Sequence, residues 1–483
     1  MLNYTGHPFV DVGIATITAF AEKNSPVELT IEDLDRIADY MEQNYIVDPL
    51  KSFLNVAFPN SGFTNPAFEK TPEKRREYAR KILRAYKPGR PQISGQQCIF
   101  TGTPAVAVSF DLNDKLPMGR AFRQHIPLTT GEDVINFAPY GNAGLPLSGL
   151  ALLAIHALPL GCAKVSGRLL AVHADNPEYT LKFAKRFLEQ NRRNIHSARQ
   201  KGDKKLAEGH YRMGTMLIDT LINIESTLHD TDDPVSISAY HFSNSGQGAD
   251  LQVFHLPLEI IDFIADVHRA DYADKWHKIV QRGWQLSVKK ISNKEPDESF
   301  QPSFNVLYED LLLLPENSRQ FIRRYFLRTP TKTRRADDPR GFYSITSDAD
   351  IVSWSITELF LRKVMLMTKE RIALIREFGD RLAEYVYTEN DTGFFNQFLR
   401  CKDYFVLRAV LIKLSVKLLK ANKGPIISFD AYVDIFECGV DLPYSDWRLA
   451  KDLVLIRMVE RLHELGWIQR NVDEIADSGE LEE

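Results

Sequence analysis

The stretch SGQQCIFTGTPA, residues 94–105, contains half of the ligand set of a zinc knuckle. Cys98 is followed by two spacer residues and then by Thr101 and Gly102, so a cysteine at position 101 would complete the Cys-x-x-Cys-Gly turn. A tetrahedral zinc site needs four nitrogen or sulfur ligands, and distant His125 is a poor substitute. The four cysteines are too widely spaced to chelate one ion: Cys98, Cys162, Cys401 and Cys438. We therefore predict no metal and no cofactor.

A second group of residues has the types found in metal-dependent phosphohydrolases. His229 and Asp230 are adjacent, His210 precedes them and Asp266 follows. His-Asp dipeptides are common by chance, and LHDTDDP has the composition of a helix end that runs into an Asp/Pro turn. The structural interpretation is preferred, and hydrolysis is kept as an alternative.

Two glycine-containing loops carry side chains that can read base edges. They are INFAPYGNAGLP (135–146) and HFSNSGQGADLQ (241–252). Amide groups both donate and accept hydrogen bonds, and glycine permits close approach of the backbone to a ligand. The alternative for each loop is an ordinary Asn-Gly turn. The candidates for base contact are Asn244 and Gln247 first, then Asn136, Tyr140 and Asn142.

Three clusters of basic residues stand out against a formal net charge of -4. Residues 70–90 and 182–205 each hold nine Lys or Arg against two acids, and residues 321–341 hold seven against two. Such clusters can neutralise phosphates, which gives affinity without sequence information, although a charged helix face is often only solvated. The candidates for backbone contact are Arg75, Arg76, Arg80, Arg84, Arg192, Arg193, Arg334 and Arg335.

The elements that must position these residues predict an α+β protein. The 483 residues are enough for several domains. Helical patterns fill the first hundred residues, strand-like segments such as AVAVSFDL, GRLLAVHA, VSISAYHF and LQVFHLP follow, and amphipathic helices dominate from about 349. We expect a mixed α+β body over 1–335, a helical bundle over 345–470 and an acidic, disordered tail over 471–483. No secretory signal or membrane span is predicted, so we expect a cytoplasmic protein.

Four ordered sequence blocks resemble the large subunit of type I-B CRISPR interference (Cascade) complexes. The blocks are YTGHPFVDVGIATITAFA, QQCIFTG, INFAPYGNAGLPLSGLALLAIHALPLG leading into SGRLLAVHAD, and ISAYHFSNSGQGADLQVFHLP. They cover roughly residues 4–260, and their order is more specific than any single block. The closest resemblance is to the subgroup named for its paired Cys-x-x-Cys motifs, from which this chain departs at Thr101.

The resemblance implies a non-enzymatic DNA-recognition subunit. Such subunits read the protospacer-adjacent motif (PAM) in target double-stranded DNA, help to separate the strands into an R-loop, and recruit the downstream effector, while guide RNA reads the long sequence. The implied partners are the 5' handle of the guide RNA, the handle-capping and backbone subunits, the small subunit, and a helicase-nuclease or a transposition adaptor. A scaffold without DNA readout is a further alternative.

The resemblance also implies that the C-terminal bundle is equivalent to the small subunit, which some family members make from an internal start codon. Met365 and Met367 are expected to open a helix, and translation from Met367 would give residues 367–483. The alternative is that both methionines belong to the core.

Overall fold

The structure, a computed structural model, describes residues 2–131, 143–208, 212–225, 235–244, 248–288, 300–327, 345–437 and 447–475. The described strands all precede Val306, and from Trp354 onward the described residues form helices and their connections. The predicted α+β class with a helical C-terminal region is confirmed.

Packing divides the chain into two units, Met1–Leu258 and Glu259–Glu483. The division lies well before the boundary that the sequence suggested near residue 335. The reason is visible around Phe360, whose ring lies 5.4 Å from that of Phe263, 5.3 Å from that of Phe321 and 5.2 Å from that of Phe326, measured between centroids. Phe263, Phe321 and Phe326 therefore share a core with the C-terminal helices.

The first unit combines helices with short antiparallel sheets. Its helices are α1 (Pro8–Phe20), α2 (Ile31–Asn44), α3 (Leu50–Leu54), α4 (Pro72–Leu83), α5 (Gly149–Ala157), α6 (Pro177–Lys201) and α7 (Met213–Glu225). Its strands are β1 (Gln92–Gln97), β2 (Pro104–Val106), β3 (Arg120–Ala121), β4 (Leu145–Pro146), β5 (Ala163–Val165), β6 (Arg168–Ala174), β7 (Ile237–Ser243) and β8 (Asp250–Leu256).

Helix α1 is the centre of this unit. Every residue from Phe9 to Phe20 is buried, as its apolar, small-residue composition predicted, and the helix packs against α5, α6 and β6. Contact with α5 is close because Gly13 has no Cβ, which would overlap the carbonyl of Ala154. Helix α2 begins at a capping box, which the Thr30-x-x-Asp33 spacing encodes: the Asp33 N–H donates to Thr30 Oγ1 at 3.2 Å and the Thr30 N–H donates to Asp33 Oδ2 at 3.1 Å.

The largest sheet has the order β5-β6-β7-β8, with all neighbours antiparallel. Strands β6, β7 and β8 occupy three of the predicted strand segments. The fourth prediction, AVAVSFDL, is wrong beyond Val106, where β2 ends. The Asp111 carboxylate accepts the N–H groups of Asn113 (3.1 Å) and Lys115 (3.3 Å), and this local turn competes with strand formation.

The second unit is mainly helical. Its helices are α8 (Leu258–Val267), α9 (Ala270–Arg282), α10 (Val306–Leu311), α11 (Ser318–Phe321), α12 (Ile345–Asp348), α13 (Trp354–Lys363), α14 (Lys369–Glu389), α15 (Thr392–Leu399), α16 (Tyr404–Lys420), α17 (Phe429–Phe436), α18 (Trp447–Glu464) and α19 (Trp467–Arg470). A hairpin of β9 (Trp284–Val288) and β10 (Phe300–Asn305) precedes α10, and a π-helical turn, Ile322–Phe326, follows α11.

Two expectations for this unit need correction. Met365 and Met367 do not open a helix, because they lie in the connection between α13 and α14, which is capped by Thr368. The acidic tail is partly packed: Asn471 is buried and its amide donates to the Trp467 carbonyl at 2.9 Å. Residues 476–483 lie outside the described part of the chain. Among the described residues, no helix combines the length and apolar character required to cross a bilayer.

Candidate nucleic-acid interface

A cavity of about 700 Å³ lies in the first unit, and we call it the motif pocket. It is lined by residues 5–9, 99–100, 126–129, Leu145, Tyr240 and Leu251. Each of the four sequence blocks that carry the family resemblance contributes to this lining, and residues 126–129 complete it. Segments far apart in sequence are brought together because α1, β4, β7 and β8 all reach this part of the unit.

Aromatic rings form one wall of the motif pocket. The ring of His7 lies 4.6 Å from that of Phe100 between centroids, with the planes tilted by 54°. His7 Nδ1 is buried and meets no donor or acceptor within the described part of the chain. Burial lowers the pKa of His7 despite the opposing charge of Asp11, so this ring is neutral at neutral pH. A neutral ring with an unused nitrogen can stack on a planar ligand and accept or donate a hydrogen bond.

Asp11 fixes the segment that carries His7. Its carboxylate accepts the Thr5 N–H at 2.6 Å, the Thr5 hydroxyl at 2.8 Å and the Gly6 N–H at 2.9 Å, and His173 Nε2 lies 3.2 Å away. Burial opposes ionisation of Asp11, but these hydrogen bonds outweigh it and hold the pKa below its usual value. Sequence reasoning missed Asp11 and His173. The available signal was one acidic residue in an otherwise small and apolar helix.

Asn244 is placed differently from its expected role as a base reader. It is fully buried, and its side-chain N–H groups donate to the carbonyls of Ala57 and Arg123, both at 3.3 Å. Its Oδ1 accepts Arg123 Nε at 3.2 Å, and its backbone carbonyl accepts Arg123 Nη2 at 2.5 Å. Each polar atom of the amide therefore has a protein partner, and contact with a base would require these hydrogen bonds to break. Asn244 instead anchors the end of β7.

The other base-edge candidates lie outside the described residues. They are Gln247, Asn136, Tyr140 and Asn142. What the structure shows is the attachment of their loops. Leu145, near the end of the first loop, lines the motif pocket, and Asn244, within the second loop, is held by hydrogen bonds to the protein.

The basic cluster on α4 is largely neutralised by α2. Arg84 pairs with Asp39, with Asp35 at 3.4 Å and with Glu42 at 3.3 Å, and only 17% of its side chain is exposed. Arg80 Nε donates to Glu42 at 2.6 Å. Acids one helical turn apart on α2 thus face the basic side of α4 and reduce its capacity to bind phosphate.

Two further arginines of this cluster also have protein partners. Arg75 is buried, and its Nη2 donates to the Asn65 carbonyl at 3.0 Å. Arg76 is exposed and lies 3.7 Å from Glu73. Phosphate contact by Arg75 would require it to leave the interior, so Arg76 is the more accessible of the two.

Helix α6 presents a different basic surface. Lys185, Arg186 and Arg193 are exposed, and no carboxylate of the described chain forms an ion pair with them. Arg192 is less available, since its guanidinium lies 4.5 Å from the centroid of the Phe20 ring and 6.0 Å from that of Tyr40. We refer to Lys185, Arg186 and Arg193 as the α6 face. Arg334 and Arg335 of the third cluster lie outside the described residues.

The Cys98 turn is closed by hydrogen bonds. The Cys98 N–H donates to the Thr103 carbonyl at 2.7 Å, and the Gly102 N–H donates to the Cys98 carbonyl at 2.9 Å. Gly102 has a φ of +65°, which glycine adopts without strain. The Cys98 side chain is buried. The knuckle-like turn is therefore maintained by backbone contacts.

Both ring nitrogens of His125 form hydrogen bonds with the backbone. Its Nε2 lies 2.9 Å from the Phe110 carbonyl, and its Nδ1 lies 3.2 Å from the Phe122 N–H, so a neutral ring with the proton on Nε2 satisfies both. Burial lowers its pKa to about 3. Within the described residues, no three His, Cys, Asp or Glu side chains converge in a way that suits a metal ion.

The hydrolase candidates are not assembled in the described structure. His210, His229 and Asp230 lie outside the described residues. Asp266 is paired with Lys363 at 3.0 Å and with Arg269 at 3.1 Å. No protein-family model, curated protein or solved structure matches the chain.

Proposed function

We propose that the chain is the non-enzymatic large subunit of a type I-B Cascade complex, which recognises the PAM in double-stranded DNA and promotes strand separation. The observation that carries this proposal is the meeting of all four resembling sequence blocks around the motif pocket. Blocks chosen for their sequence alone need not share a location. Their convergence is expected if they form one recognition surface.

The chemistry of the motif pocket suits nucleic acid. His7, Phe100 and Tyr240 are half-buried rings, and unstacked bases bind to proteins by stacking on such rings. The guide RNA handle and the separated DNA strands both supply unstacked bases. Leu145 and Leu251, which belong to the two glycine-containing loops, line the same pocket.

Phosphate contact is assigned to the α6 face. Its three cations are exposed and unpaired within the described chain, whereas Arg84 is already neutralised. When a cation must first break an ion pair with a carboxylate, its contact with a phosphate adds little net binding free energy. The α6 face therefore provides sequence-independent affinity.

The remaining partners follow from the same assignment. In the cytoplasm, the chain would join the handle-capping and backbone subunits on the guide RNA, contact a small subunit, and recruit a helicase-nuclease or a transposition adaptor. The α+β first unit would contribute recognition and the helical second unit the small-subunit-like bundle.

The test is duplex binding by the complex assembled with and without this chain. The guide-matched target is presented with a randomised flanking motif, and the bound fraction is sequenced. We expect motif preference only when the chain is present. Substitution of both Arg186 and Arg193 by Ala should weaken binding of all duplexes about tenfold and leave the preferred motif unchanged, because phosphates carry no sequence information.

The matched control is Arg80→Ala, an exposed arginine that already pairs with Glu42. It should change affinity less than twofold. Equal binding of all flanking sequences by the complete complex would favour the scaffold alternative. Metal-dependent cleavage by the pure chain that is lost in His229→Ala would favour the phosphohydrolase.

A further inference from the structure

A second cavity, of about 380 Å³, lies within the second unit, and we call it the basic pocket. It is bounded by the turn that joins α11 to its π-helical extension, by the loop after α15, and by the first turns of α18. Six cations are among its lining residues: Arg319, Arg323, Arg400, Lys402, Arg448 and Lys451. Among the described residues of this lining, Asp452 is the one carboxylate.

The π-helical turn brings two of these arginines together. Arg319 precedes the turn, Arg323 lies in it, and the Nε atoms of both lie 3.6 Å from Asp452 Oδ2. π-Helical turns are uncommon and recur at functional sites. Asp452 is buried, so it holds the two side chains from beneath the pocket. A carboxylate in this position orients guanidinium groups toward a ligand on their other side.

Lys451 supplies a charge at the floor of the basic pocket. It is buried, with 7% of the residue exposed, and its ammonium donates to the carbonyls of Leu399 at 2.9 Å and Cys401 at 2.7 Å. An ammonium group has three N–H donors, so one remains beyond these two carbonyls. Burial lowers the pKa of Lys451; the charge of Asp452 opposes this effect, and the nearby Arg323 and Arg319 add to it. Like charges held this close are stabilised when an anion binds between them.

Arg448 completes the rim. It is exposed, and its guanidinium lies 5.2 Å from the centroid of the Trp447 ring, whose indole is buried in the wall. Contact with a flat ring restricts the guanidinium without neutralising it. The pocket thus has a preorganised cation at its mouth as well as at its floor.

We propose that the basic pocket is a phosphate-binding site. Guanidinium and ammonium groups that approach from several directions match the distributed oxygens of a phosphate better than the two oxygens of a carboxylate. The phosphate belongs either to a nucleic-acid backbone or to a small free ligand. All described lining residues of the site belong to the second unit, and the proposal does not depend on the proposed function.

The test uses the full-length chain and two kinds of probe. Calorimetry measures binding of inorganic phosphate and pyrophosphate, and fluorescence anisotropy measures binding of a labelled single-stranded 20-mer as DNA and as RNA. The variants are Arg448→Ala and the double substitution of Arg319 and Arg448 by Ala. The control is Arg381→Ala on α14, an exposed arginine paired with Glu377.

We expect the double variant to bind at least ~10-fold more weakly, since it loses two charge-assisted contacts, and the control to bind within twofold of wild type. Binding of pyrophosphate that competes with the 20-mer identifies a free phosphate ligand. Binding of the 20-mer alone, weakened by the substitutions, identifies the backbone. The same loss should appear when Arg186 and Arg193 are already Ala, which separates this site from the α6 face.

Two outcomes would overturn the proposal. One is wild-type affinity of the double variant for every probe. The other is absence of binding of every probe by the wild-type chain. The single variant Arg448→Ala controls for misfolding, because Arg448 is exposed and its removal leaves the buried contacts of Asp452 and Lys451 intact.

Discussion

At the scale of single residues, side-chain type indicated a capacity to bind but not the partner. Asn244 follows a strand and precedes a glycine-containing loop, which are the features expected of a base-reading amide. In the fold, the same features suit an anchor, because the amide satisfies carbonyls at Ala57 and Arg123 that would otherwise be buried without partners. Those carbonyls lie 187 and 121 residues away in sequence, so no local pattern could reveal them.

The anchor role predicts a stability defect for Asn244→Ala. The substitution removes the side-chain partner of the Ala57 and Arg123 carbonyls and of Arg123 Nε, which costs about 1–3 kcal/mol in the free energy of unfolding. Urea unfolding of the pure chain measures this. The exposed Asn3→Ala serves as the control and should be neutral. Unchanged stability together with relaxed motif preference would restore Asn244 to the base-reading role.

At the scale of elements, the basic clusters on α4 and α6 have similar compositions but pack against different neighbours. Residues 70–90 and 182–205 have the same number of basic residues, yet α4 faces the acids of α2 while α6 keeps an exposed basic face. The acidic stripe of α2, Asp35, Asp39 and Glu42, is readable from helical spacing. Its contact with α4 joins residues far apart in sequence, so the helical spacing alone does not predict it. The capping box at Thr30 and strands β6, β7 and β8 were predictable because they depend on residues near in sequence.

The contact between α2 and α4 predicts that Arg84 contributes to stability and not to nucleic-acid binding. Arg84→Ala removes the ion pairs of Arg84 with three carboxylates. Because solvent partly screens these charges, the free energy of unfolding should fall by only about 1 kcal/mol. Duplex affinity of the assembled complex should stay within twofold of wild type. Chemical unfolding and duplex titration of the same preparation measure both. A tenfold loss of affinity with unchanged stability would show that Arg84 leaves its carboxylates to contact phosphate.

At the scale of the whole molecule, the sequence predicted the α+β fold class but not the boundary between the two units. A change from mixed patterns to amphipathic helices is visible in the sequence, but Phe263 and Phe321 already pack against Phe360 of the later helices. The motif pocket shows the same limit. Its blocks were recognisable one by one, whereas their meeting around His7 depends on how α1, α5 and the main sheet pack.

Packing of the first unit also buries histidines in the neutral form, which predicts a stability loss in mild acid. His156 on α5 is fully buried against the rings of Phe58 and Phe63, its Nδ1 lies 2.8 Å from the Leu152 carbonyl, and burial lowers its pKa to about 4. His125 behaves alike, with a pKa of about 3. The unfolded chain binds these protons near the usual value of 6.5, whereas the folded chain does not.

The free energy of unfolding should therefore be fully retained above pH 6.5 and should fall as the pH is lowered from 6.5 toward 4, by at most about 1.4 kcal/mol per pH unit for each histidine. Hydrogen exchange of peptides from α5, corrected for the intrinsic effect of pH, measures the change within the first unit. His156→Leu removes the proton-binding group and a nitrogen, Nε2, that is buried without a partner in the described structure. We expect the variant to keep its protection at pH 7 and to lose less of it at pH 5 than wild type, whereas His196→Gln, at an exposed position on α6, should follow the wild-type profile. An unaltered pH dependence in His156→Leu would show that protonation of His156 does not contribute to acid destabilisation of the first unit.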